Sequence, residues 1–111
     1  MIFINEEEVL NLLNWDETFQ AIETAMLKVS KERVVQNARN FTQVLNTKNL
    51  LLTMPGYLED ESYGGLSCKL VTMCPNNINI EKPLPTINAN IMLFDHETGI
   101  LKAVSLFFEN N

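Results

Sequence analysis

The chain has 111 residues, 46% hydrophobic and 20% charged, which suits one globular domain with a modest core. A formal net charge of −6, with eight scattered Lys and Arg, argues against nucleic acid and anionic membrane surfaces as partners. No apolar run of about 18 residues occurs, and MIFINEEEVL turns acidic without a basic leader, so a cytoplasmic location is expected.

Met1 to Ile4 reads as a short first strand or docking segment. Asn5 and Glu8 have capping-box spacing, and Glu6, Glu7 and Glu8 suit the positive end of a helix dipole. Val9, Leu10, Leu12 and Leu13 give this first helix a face to bury before it breaks at Asn14. Asn14 and Glu17 repeat the box. Trp15, Phe19, Ile22, Met26 and Val29 then recur at helical spacing, predicting an amphipathic helix to about Lys31 with its stripe in the core.

From Ala38 the period becomes two. Arg39, Phe41, Gln43 and Leu45 share one strand face. Asn46 to Asn49 is turn chemistry, Leu50 to Met54 returns as a strand, and Pro55-Gly56 is expected to close it. Strands follow at Leu66 to Met73 and Thr86 to Phe94. A hairpin loop at Asp95 to Gly99 and a return strand from Ile100 complete the order. Two or three helices followed by five strands, segregated rather than alternating, predict an α+β fold with a mostly antiparallel sheet.

Candidate chemistry is sparse. Lys69 shares its strand face with Val71 and Met73, so partial desolvation and attraction for an anion are expected; the plain alternative is an edge lysine with its head in water. Arg39 suits a bidentate grip on a carboxylate, or is a surface arginine. Thr86, Asn88 and Asn90 alternate with apolar residues and point one way, as a pocket mouth or as the wet face of a sheet. His96, between Asp95 and Glu97 at a hairpin tip, is poorly placed for a closed metal site. Cys68 and Cys74 fit no zinc or redox spacing and read as reduced thiols. No glycine-rich phosphate loop and no Gly-x-Ser-x-Gly elbow occurs in the sequence.

Taken in order, FINEEEVLNLL, VVQNARNF, LLLTMPGY, CKLVT and PLPTINANIMLFDHETGILKAV resemble the amino-terminal substrate-binding region of the ornithine cyclodeaminase/mu-crystallin family, from about residue 3 to Val104. CKLVT and LLLTMPGY look closer to the mu-crystallin/ketimine reductase branch. The resemblance implies NADPH- or NADH-dependent chemistry on imines and amino acids in full-length relatives. Arg39 and Lys69 then match the residues that hold a substrate carboxylate, and Thr86 and Asn88 match positions near the nicotinamide. Arg39 also matches the arginine that contacts thyroid hormone in mu-crystallin.

The resemblance further implies a domain over residues 1–104, incomplete relative to the family, and a divergent tail over 105–111. The family's RTAA-like helix, its dinucleotide-binding domain and its catalytic aspartate have no counterpart in these residues. A truncated member is therefore expected, inactive by itself and binding no cofactor alone. It would bind a small imine or amino-acid carboxylate and self-associate as a homodimer through its sheet. The alternative is a non-enzymatic module for a small carboxylate or thyroid-hormone-like ligand, or a modulator that pairs with full-length protomers.

Overall fold

In a computed structural model, residues 1–59 and 65–109 are described, the side chains of the last three excepted. The order is β1 (Ile2–Ile4), α1 (Glu6–Leu12), α2 (Trp15–Ser30), β2 (Val34–Gln36), β3 (Asn40–Gln43), β4 (Leu50–Leu58), β5 (Gly65–Met73), a 3-10 turn (Pro75–Asn79), β6 (Ile87–Phe94) and β7 (Leu101–Glu109). This is an α+β fold. One sheet runs β1-β7-β6-β5-β4-β2, with β3 also on β4, and every pair is antiparallel except β1 with β7.

Both helices start where their caps predict. The Asn5 side chain accepts the Glu8 N–H at 2.9 Å, and that of Asn14 accepts the Glu17 N–H at 2.8 Å, each satisfying a donor the first turn leaves free. At the far end of α2, Glu32 takes φ 60° and the Arg33 N–H reaches back to the Lys28 carbonyl at 2.8 Å. That is a left-handed helix stop built without glycine. Gly99, at φ 76°, closes the β6–β7 turn as its position in the sequence predicts.

The strand expectations are borne out at one end and corrected at two places. Met1 to Ile4 forms the short first strand, beside β7, and Val34–Gln36, ahead of the expected change of period, is also a strand, paired with Tyr57 and its neighbours. Six strands follow the helices where five were expected. Pro55-Gly56 does not end β4 but lies inside it. β3 pairs with β4 as far as Thr53, and β2 takes over at Gly56. Pro55 falls in the interval between the two ladders, where a missing N–H on that side is tolerated. The last strand passes Val104 without interruption, with Ser105 opposite Ile91 and Leu106 opposite Asn90.

The core is much smaller than expected. Only Val71 (8% exposed) and Ala89 (6%), facing each other on β5 and β6, are buried among the described residues. Leu10, Leu12 and Leu13 of α1 are 60 to 65% exposed, and Trp15, Phe19, Ile22, Met26 and Val29 of α2 are 51 to 79% exposed. Their spacing makes the helices as predicted, but their faces are not buried in this chain. The radius of gyration is 16.0 Å, against about 13 Å for a compact domain of about 100 residues.

Candidate functional site

The ladders decide which side chains meet. Lys69 lies opposite Met54 on β4 and Ile91 on β6; Val71 lies opposite Leu52 and Ala89. Alternation therefore places Ser67, Lys69, Val71, Met54, Ala89 and Ile91 on one face of the sheet. The helices lie on this side of the sheet: Val9 and Leu12 of α1 line one cleft with Ile91 and Ser105, and Ala25 and Val29 of α2 line another with Gly56 and Ser67.

Two clefts open between the helices and the sheet. One, of about 310 Å³, lies beneath the end of α2 and is lined by Arg39 with Met54, Gly56, Tyr57 and Ser67 among others. Arg39 sits one residue before β3, not within it, and is exposed. The other, of about 540 Å³, lies beneath α1. Its walls are Ile4, Val9, Leu12, Leu13 and Ile91, and Lys69 is its charged group. Lys69 is exposed rather than partly desolvated, because the cleft it lines beneath α1 is open rather than closed over it.

Arg39 and Lys69 thus occupy neighbouring clefts on one face. Met54 joins them: it lines the Arg39 cleft and is the direct cross-strand partner of Lys69. Among the described residues the ion pair present is Arg33–Glu59, at 3.3 Å, so no carboxylate of those residues occupies either cation. Two cations on one side of a sheet, each over apolar surface, can hold an anionic group and shield the body attached to it.

Thr86 and Asn88 are placed differently. Asn88 pairs with Thr72, on the opposite face from Lys69. Its side-chain amide donates to the Pro85 carbonyl at 3.3 Å, and the Asn77 amide donates to the same oxygen at 3.0 Å. Thr86 lies just ahead of β6, where its carbonyl accepts the Cys74 N–H at 2.8 Å. Both residues brace the entry to β6, and Thr86 with Asn88 do not share a cleft with Arg39 or Lys69. His96 stacks loosely near Tyr57, with ring centroids 5.9 Å apart, at an exposed turn. No group of three metal-ligating side chains occurs among the described residues.

Two lining contributions escape a residue-by-residue reading. Ser67 is visible in retrospect as the position two before Lys69 on the same strand face. The α1 residues Val9 and Leu12 reach the Lys69 cleft only because β1 docks on β7 and carries α1 over the sheet. No local pattern announces that pairing.

The chain is 34% identical to an uncharacterized cyclodeaminase of Dictyostelium discoideum, over 94% of this chain and 31% of the relative. It superimposes on Δ1-pyrroline-2-carboxylate reductase of Thermococcus litoralis, solved with NADH and L-proline, with a TM-score of 0.84 and 28% identity. That match covers 96% of this chain and 32% of the reductase. An archaeal alanine dehydrogenase dimer with bound NAD matches at a TM-score of 0.81 and 28% identity, over 96% and 31% of the two chains. The chain therefore spans about a third of the length of these relatives. The family match itself runs over residues 1–106, and the chain belongs to the ornithine cyclodeaminase/mu-crystallin family.

Proposed function

We propose that this chain supplies the carboxylate-gripping part of an NAD(P)-dependent enzyme that acts on cyclic imines or amino acids, with Arg39 and Lys69 as the anion anchors. The observation that carries the reading is the placement of the two cations in adjacent clefts on one sheet face, bridged by Met54. A carboxylate between them gains charge-assisted hydrogen bonds, while Met54 and Ile91 flank the carbon attached to it. Thr86 and Asn88 remain proposed cofactor neighbours, acting from the end of β6.

A bound nicotinamide would supply or accept the hydride at the carbon of the C=N bond. The residues present do not fit the rest of that cofactor. A dinucleotide needs a glycine-rich turn leading into a helix amino terminus, and both helices here begin at asparagine caps without one. No step of hydride transfer is assigned to these 111 residues, and in isolation they are inactive as a reductase. A cytoplasmic location is part of the proposal; no helix is long and apolar enough to cross a membrane among the described residues. So is pairing with a second copy through the sheet face that carries Leu66, Leu70 and Met92, which lies on the side away from the helices.

The test is a titration of the isotope-labelled chain with pyrrole-2-carboxylate, followed by amide chemical shifts. Binding should map to β4 and β5 and weaken about tenfold or more in Arg39→Ala and in Lys69→Ala, the loss typical of a hydrogen bond to a charged group. Unchanged affinity in both variants would sink the anchor assignment. Oxidation of NADPH by the isolated chain in the presence of a cyclic ketimine would overturn the statement that it is inactive.

A second reading draws on the Lys69 cleft, whose walls are aliphatic. It suits a carboxylate with a bulky apolar body, including a thyroid-hormone-like ligand, bound without reaction. Tighter binding of an aryl-substituted carboxylate than of L-proline would favour it.

A further inference from the structure

The strands that carry the anion anchors also set the direction in which a bound molecule lies. Met54, Lys69, Ile91, Ser105 and Ile4 are successive cross-strand partners, on β4, β5, β6, β7 and β1 in turn. They form one row on the side of the sheet that bears the helices. Arg39 lies at the Met54 end of the row, the cleft beneath α1 lies toward Ile4, and Lys69 stands between them. Adjacent strands are about 4.8 Å apart, so the row runs about 14 Å from Lys69 to Ile4. That length is ample for the side chain of one amino acid. A carboxylate held by Arg39 and Lys69 therefore places its body along Ile91 and Ser105, beneath Val9 and Leu12.

The walls decide what that body can be. Among the described residues, Lys69 is the one charged group lining the cleft beneath α1, and the other side chains are aliphatic but for the Ser105 hydroxyl. Glu6, Glu7 and Glu8 occupy the first turn of the same helix but line neither cleft. An ammonium brought in at the end of a side chain meets alkyl groups and a like charge, with no carboxylate to receive it. A second carboxylate at that end loses water with no cation beyond Lys69 to replace it. A methyl group there meets surface of its own kind. These walls belong to this chain, so they act on a ligand whatever else closes over the cleft.

We propose that the site takes carboxylates with an uncharged aliphatic side chain, and that it discriminates against diamino acids and dicarboxylates. This rests on Arg39 and Lys69 as the anion anchors and narrows the substrate class that they serve. Full cover of a methylene is worth about fourfold in affinity, and the open cleft covers each one in part, so about two- to fourfold is expected per added carbon. Selection comes as much from the missing acid as from the apolar contact.

The test compares ligands of matched length on the unaltered, isotope-labelled chain by amide chemical shifts. They are hexanoate; δ-aminovalerate, in which an ammonium replaces the terminal methyl; and glutarate, in which a second carboxylate takes that end. Hexanoate should bind about tenfold or more tighter than either of the others. Its shifts should reach Val9, Leu12 and Ile4, whereas those of acetate should stay near Lys69. Affinity should rise about two- to fourfold per carbon from propionate to hexanoate. Leu12→Glu, at a position 65% exposed, should bring δ-aminovalerate level with hexanoate or above it. Equal affinity for the matched ligands, tightest binding of glutarate, or no binding of hexanoate overturns the proposal. So do hexanoate shifts confined to those of acetate, or a Leu12→Glu chain that keeps the parent's preference. Equal affinities that still fall in Lys69→Ala remove the aliphatic selection and leave the anchors standing. Pyrrole-2-carboxylate binding indifferent to both Arg39→Ala and Lys69→Ala removes the anchors themselves. The ligand comparison does not depend on any variant folding.

Discussion

Val71→Ala addresses the smallness of the core. The Val71 side chain is 8% exposed and sits between Leu52 and Ala89 on the helix-facing side of the sheet. The substitution removes two methyl groups from near-complete cover, worth about 1.6 kcal/mol at about 0.8 kcal/mol per group. Incomplete collapse of the space left behind brings the cost to about 2 kcal/mol. A domain of this size has a total stability of about 5 to 15 kcal/mol, and one with only two buried residues among those described belongs at the low end. The variant therefore loses a large fraction of the total. Urea unfolding followed by circular dichroism at fixed protein concentration should show the midpoint falling by about 1 M, given slopes of about 1 to 3 kcal/mol per M. Leu51→Ala, at a site 38% exposed on the opposite face of β4, serves as the comparison and should shift the midpoint less. A Val71→Ala midpoint equal to that of the parent, or a larger loss from Leu51→Ala, would show that stability is centred elsewhere.

Other expectations follow from local geometry. Glu32→Gly should raise stability by about 1 kcal/mol, since φ 60° strains a residue with a side chain; a lower melting temperature would contradict it. Asn14→Ala should lower stability by about 1 kcal/mol and reduce helical ellipticity, through loss of the 2.8 Å cap to the Glu17 N–H; an unchanged helical signal would count against that cap. Asp95 accepts the Glu97 and Thr98 N–H groups at 2.8 and 3.1 Å, which holds its carboxyl below the ordinary value of 3.8. A depressed value stabilises the fold above the unfolded-state pKa and is lost as pH falls through the lower, folded one. Asp95→Asn should therefore flatten part of the acid limb of a stability profile below about pH 4, and an unaltered limb would refute this role.

Much of the fold is legible in the sequence because its signals are local. The asparagine caps and the Asp95–Gly99 turn each act within a few residues, and each is found where expected; the strand expected from Ala38 begins only at Asn40, after β2 has already formed at Val34–Gln36. The illegible parts depend on distant segments. β2 is too short to carry a period, and Pro55 reads as a breaker until the interval between β3 and β2 is known. The same limit explains the stripes of α1 and α2. Spacing predicts that Trp15 and Phe19 share a helix face, but says nothing of whether that face meets this chain or another. For the candidate site, chemistry picks out Arg39 and Lys69 by type, and alternation puts Lys69 on its face. The link through Met54, and the separation of Asn88 to the other side, need the cross-strand register.

The parallel pairing of β1 with β7 also sets an order of events. Ile2, Phe3 and Ile4 find their partners at Ala103, Val104 and Ser105, about a hundred residues later. During synthesis these early residues leave the ribosome long before the strand they need, and α1 cannot settle over the sheet until that strand arrives. Contacts so far apart in sequence slow folding and leave apolar segments waiting in water. A nascent chain of this protein is therefore open to chaperones, or to a neighbouring nascent copy, until β7 has emerged. A bulky tag fused ahead of Met1 would be felt first at β7, about a hundred residues away along the chain.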